Sequence, residues 1–64
     1  MRTELKVLRI KHNLTQVEIA QKLGVSKSTY NLVEQGKRNG SKKFWLAVQN
    51  LFELGDAEVW KLQK

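Results

Sequence analysis

Thr15-Gln16-Val17-Glu18-Ile19-Ala20-Gln21-Lys22-Leu23-Gly24-Val25-Ser26-Lys27-Ser28-Thr29-Tyr30-Asn31-Leu32-Val33-Glu34-Gln35-Gly36 is the stretch that decides the fold. Its first four residues spell a capping box: the Thr15 side chain can accept from the third amide of a helix while Glu18 reaches back to the Thr15 amide. Val17, Ile19, Ala20 and Leu23 then supply a helical apolar face, and Gly24 stops it by tolerating positive φ. Ser26 has the chemistry of a second N-cap. The helix it opens carries Tyr30 and Val33 inward and ends before Gly36. Only Gly24, Val25 and Ser26 separate the two helices, so they must cross sharply, the geometry of a helix-turn-helix. Small Ala20 allows the close approach, and Ile19, Leu23, Val25, Tyr30 and Val33 have the spacing of one shared core.

The pattern extends outward in both directions. A first helix is expected from Thr3 to His12, with Leu5 and Leu8 on one face and Asn13 able to close it in the left-handed conformation. Downstream, Ser41 caps a fourth helix whose apolar residues are Phe44, Trp45, Leu46, Val48, Leu51 and Phe52. Gly55 and Asp56 read as a stop and a new cap, leaving a short fifth helix with Val59, Trp60 and Leu62. The expected fold is all-α, a compact bundle of five short helices with a helix-turn-helix at helices 2 and 3, and residues 1–64 are read as a single domain.

Composition narrows the function. The 64 residues hold 12 Lys and Arg against 6 Asp and Glu, a net charge of +6. Such a balance points to a polyanion partner and argues against an acidic-protein binder. The charge is uneven: residues 1–52 carry +7 and residues 53–64 carry −1. With no Cys there is neither a disulfide framework nor a thiolate metal site. The N-terminus is too interrupted by charge for a signal peptide, and no apolar run approaches the about 20 residues of a membrane span. A soluble, intracellular protein is expected.

Lysine in the first turn of a helix is normally unfavourable, because a helix start carries partial positive charge. Yet Lys27 falls in the first turn of the third helix, Lys42 and Lys43 fall in the first turn of the fourth, and Lys37 and Arg38 lie just before it. Residues 37–43 contain no acid. A phosphate at these helix starts would turn repulsion into attraction. Helical spacing also gives residues 27, 28, 31, 32 and 35 one exposed face, opposite Tyr30 and Val33.

The run TQVEIAQKLGVSKSTYNLVEQGKRNGS, Thr15 to Ser41, resembles the Cro and phage-repressor (XRE-like, lambda-repressor-like) helix-turn-helix family. The resemblance continues through Leu5 to Arg9 and into the fourth helix, covering about residues 3–54. It implies a bundle whose third helix enters the major groove of DNA. It implies that Gln16 meets a backbone phosphate, that Lys27, Ser28, Asn31 and Leu32 face the groove, and that Gln35 lies near the backbone. The side chains fit such roles: Lys27 can donate to guanine O6 and N7, Asn31 can pair with the adenine edge, and Leu32 can pack on a thymine methyl. Ser26 and Ser28 are adaptable. The full expected contact set is Gln16, Ser26, Lys27, Ser28, Asn31, Leu32, Gln35, Lys37, Arg38, Lys42 and Lys43. The chain departs from the family in three places. Gly40 stands where Pro is common, suggesting a more mobile loop. Tyr30 replaces a common Ile or Val. Leu32 replaces a common polar or basic reader. The resemblance also implies a partly buried ion pair between Arg9 and Glu34.

His12, the only histidine, has no metal-ligand partners at suitable spacing and is expected at the surface. No nucleophile–base–orienter set can be assembled, so no enzyme, metal, cofactor or small-molecule ligand is expected. The apolar fifth helix leaves two options open: Val59, Trp60 and Leu62 close the core, or they form a homodimer interface. The expected function is a sequence-specific DNA-binding transcriptional regulator, a phage- or mobile-element-type repressor or Cro-like switch protein. Its site is expected to be double-stranded operator DNA of two-fold symmetry. Its expected place is the cytoplasm of a bacterial or phage-infected cell, associated with the nucleoid. The alternative is an interaction module of the same fold, an antitoxin or a modulator of another repressor.

Overall fold

The computed structural model describes residues 1–63. Over these residues the chain forms α1 (Thr3–Lys11), α2 (Gln16–Leu23), α3 (Lys27–Glu34), α4 (Lys42–Phe52) and α5 (Asp56–Leu62), with no strand. The helix starts follow the local chemistry. Thr15 Oγ1 accepts from the Glu18 amide at 3.1 Å, and the Thr15 amide donates to Glu18 Oε1 at 2.9 Å, completing the capping box. Ser26 accepts from the Thr29 amide and Ser41 from the Phe44 amide. Gly24 adopts φ +74° at the end of α2, the left-handed conformation that permits the short turn into α3. Asn13, at φ 58°, closes α1 as its residue type suggests.

Two termini differ from the sequence reading. Glu53, not a glycine, takes the left-handed position that ends α4, at φ 54°. At the start of α5 the cap position belongs to Gly55, whose amide donates to Glu58 Oε1 at 3.1 Å. Asp56 is the first helical residue, and its carboxylate accepts from Gln49 Nε2 at 2.8 Å.

The five helices enclose one core, formed by Leu5, Ile19, Ala20, Leu23, Tyr30, Val33, Phe44, Trp45, Val48, Val59 and Leu62. It draws on every helix. α2 packs on α3 and α4, while α5 closes the far side against α4 and α1. Val17 and Leu46 do not join it; they are 46% and 49% exposed, because a helix buries one stripe and these two fall outside it. Val59 and Leu62 bear on the question left by the fifth helix: both are buried in the chain's own core. Trp60 points the other way and is 60% exposed.

Gly40 is explained by packing. A Cβ there would lie 2.6 Å from Trp45 Nε1 and 2.7 Å from Phe44 Cδ1. The expectation of a looser loop finds no support in this close fit, which places the turn between α3 and α4 directly on the core aromatics.

Candidate nucleic-acid interface

The outer face of α3 carries Lys27, Ser28, Asn31 and Leu32, which together line one shallow surface depression. Lys27, Ser28 and Leu32 are exposed and Asn31 is half-buried. The opposite face puts Tyr30 and Val33 in the core, so burial itself fixes which way the candidate readers point. Along one flank, Arg38, Asn39, Gly40 and Ser41 border the same groove as Val25 and Thr29. This brings the loop before α4 alongside the first half of α3. Lys37, Arg38, Lys42 and Lys43 are all exposed, and neither α3 nor α4 has an acidic residue in its first turn. Of these cations Arg38 borders the α3 groove, whereas Lys42 lines the groove between α4 and α5 with Trp60 and Asp56; the acid-free helix starts themselves are suited to phosphate.

Three of the expected contact residues, Ser26, Gln16 and Asn31, have side-chain hydrogen-bond partners within the protein. Ser26 Oγ is taken up by the α3 cap, accepting from the Thr29 amide and donating to Thr29 Oγ1. Gln35 is half-buried at the C-terminal end of α3. Gln16 is half-buried at the start of α2, with its amide held from two sides: Nε2 donates to Glu34 Oε2 at 2.8 Å, and Oε1 accepts from Asn31 Nδ2 at 3.0 Å.

Behind this face sits a buried polar cluster. The ion pair expected from the resemblance is present: Arg9 Nε lies 2.8 Å from Glu34 Oε1. Arg9 also donates to the Leu14 carbonyl, and Tyr30 donates its hydroxyl to Glu34 at 3.0 Å. Burial opposes ionisation of Glu34, but hydrogen bonds from Arg9, Gln16 and Tyr30 overcome it and hold the carboxyl below the usual carboxylate range. Burial, followed by the neighbouring Glu34 charge, pushes the Tyr30 phenol well above its ordinary value, so it remains a donor. The cluster ties α1, α2 and α3 into one rigid support.

Sequence reasoning missed Arg2. It is only 8% exposed, and its guanidinium donates to the carbonyls of Val33 (2.6 Å), Arg38 (3.0 Å) and Gln63 (3.2 Å) and to Asn39 Oδ1 (3.1 Å). Its own amide donates to the Glu34 carbonyl at 2.7 Å. Arg2 thus satisfies carbonyls in the last turn of α3, where a cation is also favoured by the helix dipole, and grips the loop that carries Lys37 and Arg38. It lies 5.6 Å over the Trp45 ring. These partners are 31 to 61 positions away, and no local motif marks them. His12 is exposed, as expected, with its ring against Phe52 at 4.6 Å between centroids.

The helix-turn-helix family model matches residues 5–57. The chain belongs to the XRE-like helix-turn-helix family. Members of this family are DNA-binding transcriptional regulators, not enzymes. Two uncharacterised helix-turn-helix-type transcriptional regulators of Archaeoglobus fulgidus are each 35% identical to it, one over 69 aligned positions spanning 95% of this chain and 97% of the relative, the other over 68 positions spanning 94% and 97%. A regulator of the same description from Methanocaldococcus jannaschii is 42% identical over 52 positions, spanning 81% of this chain and 79% of the relative. No solved structure matches significantly. No helix among the described residues is long and apolar enough to cross a membrane.

Proposed function

We propose that residues 1–64 act as one DNA-binding domain that represses transcription by occupying a specific operator, in the manner of a phage- or mobile-element-type repressor or a Cro-like switch protein. The observation that carries this reading is the joint exposure of Lys27, Ser28, Asn31 and Leu32 on α3, flanked by the acid-free starts of α3 and α4. In the proposed complex α3 lies in the major groove. Lys27, Ser28, Asn31 and Leu32 meet base edges, with Ser26 and Gln35 at the margins of the same face. Lys37, Arg38, Lys42, Lys43 and the remaining Gln16 N–H hold phosphates. With DNA as its ligand, its place is the cytoplasm, on the nucleoid.

Binding as a homodimer to a two-fold operator, with half-sites about one helical turn apart, is part of the proposal. Trp60 and Leu46 border one groove between α4 and α5, which also contains Lys42 and Asp56. The exposure of Trp60 equally favours a second reading, in which α5 docks another protein and DNA is secondary. Retention of random DNA duplexes by the wild type, by Lys27→Ala combined with Asn31→Ala, and by Trp60→Ala separates the two. The DNA reading predicts loss in the α3 variant. Regulation that survives the α3 changes but is abolished by Trp60→Ala would overturn it.

A further inference from the structure

The hydrogen bonds behind α3 constrain what Asn31 can offer to a base. Glu34 is a carboxylate and can only accept. Gln16 must therefore turn its Nε2 towards Glu34 Oε2, as the 2.8 Å contact has it. Its Oε1 then faces Asn31, and an acceptor in that place requires the Asn31 Nδ2, at 3.0 Å. Each amide orientation follows from the one before it, and the chain of constraint starts at a charge anchored by Arg9 and Tyr30. One of the two Nδ2 hydrogens of Asn31 is thereby committed inside the protein. What remains at the α3 surface is one N–H donor and the Oδ1 acceptor.

From this we infer that Gln16 is a positioning residue for base selection: by holding one Asn31 hydrogen, it confines Asn31 to a donor-plus-acceptor partner and makes it read adenine and reject guanine. Adenine presents the N7 acceptor and N6 donor in the major groove, which match the remaining pair. Guanine presents two acceptors, N7 and O6, and would need both Asn31 hydrogens. An unrestrained asparagine could turn to serve either purine. The inference rests on the DNA-binding reading of α3 and adds a base identity and the residue that enforces it.

The test is selection of duplexes from a random pool by the wild type, Asn31→Ala and Gln16→Leu. The position whose preference disappears in Asn31→Ala is the base pair Asn31 reads. The wild type is expected to favour adenine over guanine there by at least about fivefold, the lower end of what a bidentate pair contributes. Gln16→Leu is expected to bring that ratio below about twofold while preferences at the other positions persist, even as overall affinity falls with the lost phosphate contact. An unchanged adenine preference in Gln16→Leu, or guanine at the Asn31 position in the wild type, would overturn the inference. A wild type that enriches no motif would instead remove the DNA reading, and the inference with it. A second measurement works without DNA and covers poor folding of the leucine variant. In the side-chain amide NMR spectrum of the wild type, one Asn31 Nδ2 proton should be protected from exchange and its partner not; equal exchange of the two would contradict the constraint.

Discussion

Replacing Glu34 by Gln changes one oxygen for an NH2 group at a site that is 2% exposed. The carboxylate accepts from three donors: Arg9 Nε at 2.8 Å, Gln16 Nε2 at 2.8 Å and the Tyr30 hydroxyl at 3.0 Å. A Gln side chain keeps one acceptor and brings a donor of its own. Gln16 can flip and the Tyr30 hydroxyl can rotate, but Arg9 has no acceptor to offer and loses its counter-charge. Removing one partner of a buried pair costs about 3–5 kcal/mol when nothing replaces it. Here the shape is retained, one strong acceptor survives, and Arg9 keeps the Leu14 carbonyl. The expected loss is therefore about 2 kcal/mol, or about 8–16 °C in melting temperature for a domain of this size. The pH dependence has a definite sign. Because the folded state holds the Glu34 carboxyl below its ordinary 4.5, its stabilisation is present above that value and is lost as the pH falls through the lowered folded value. Thermal or urea unfolding of the wild type and Glu34→Gln, followed by circular dichroism from pH 7 downward, should show a gap that narrows only in the acid range. A pH 7 gap within about 0.5 kcal/mol, or a gap that stays constant below pH 4.5, would refute the reasoning.

Other perturbations probe the support around the α3 face. Arg2→Ala should lose about 2–3 kcal/mol in unfolding experiments, since it leaves the buried Val33 carbonyl without its guanidinium partner. Arg2→Lys should recover less than half of that, because an ammonium cannot reproduce the fork that reaches Val33, Arg38, Asn39 and Gln63. Gly40→Ala should destabilise by about 1–3 kcal/mol and perturb Trp45 fluorescence, as the new methyl must displace the indole 2.6 Å away. For DNA binding by the proposed dimer, about five to eight phosphate contacts would give a log–log salt slope of about −5 to −7, measured by fluorescence anisotropy.

The helix starts were legible because capping is local chemistry: Thr15, Ser26 and Ser41 each act within three residues of themselves. The α3 face was legible for a related reason, since Tyr30 and Val33 commit the opposite side to the core. Glu53 was not legible. Nothing in its type favours the left-handed conformation that it adopts at the end of α4. By sequence Val17 reads onto the apolar face of the second helix and Leu46 counts among the apolar residues of the fourth, yet both are exposed, because the width of the buried stripe depends on neighbours that periodicity does not reveal. In the site, the Arg9–Glu34 pair came from family resemblance, whereas Arg2 and the Gln16–Asn31 contact join residues far apart in sequence by ordinary polar side chains. Such contacts leave no pattern in a single chain. The predicted cap at Asp56 failed by one position, because the Glu58 side chain satisfies the Gly55 amide.

The central claim is that the exposed α3 face reads a particular DNA sequence. Selection of bound duplexes from a fully random pool by the wild-type chain tests it most directly. The account predicts enrichment of a two-fold motif, with half-sites about one helical turn apart, and loss of that enrichment with Lys27→Ala and Asn31→Ala together. Recovery of a pool with no enriched motif, or of the same motif with the α3 variant, would contradict it.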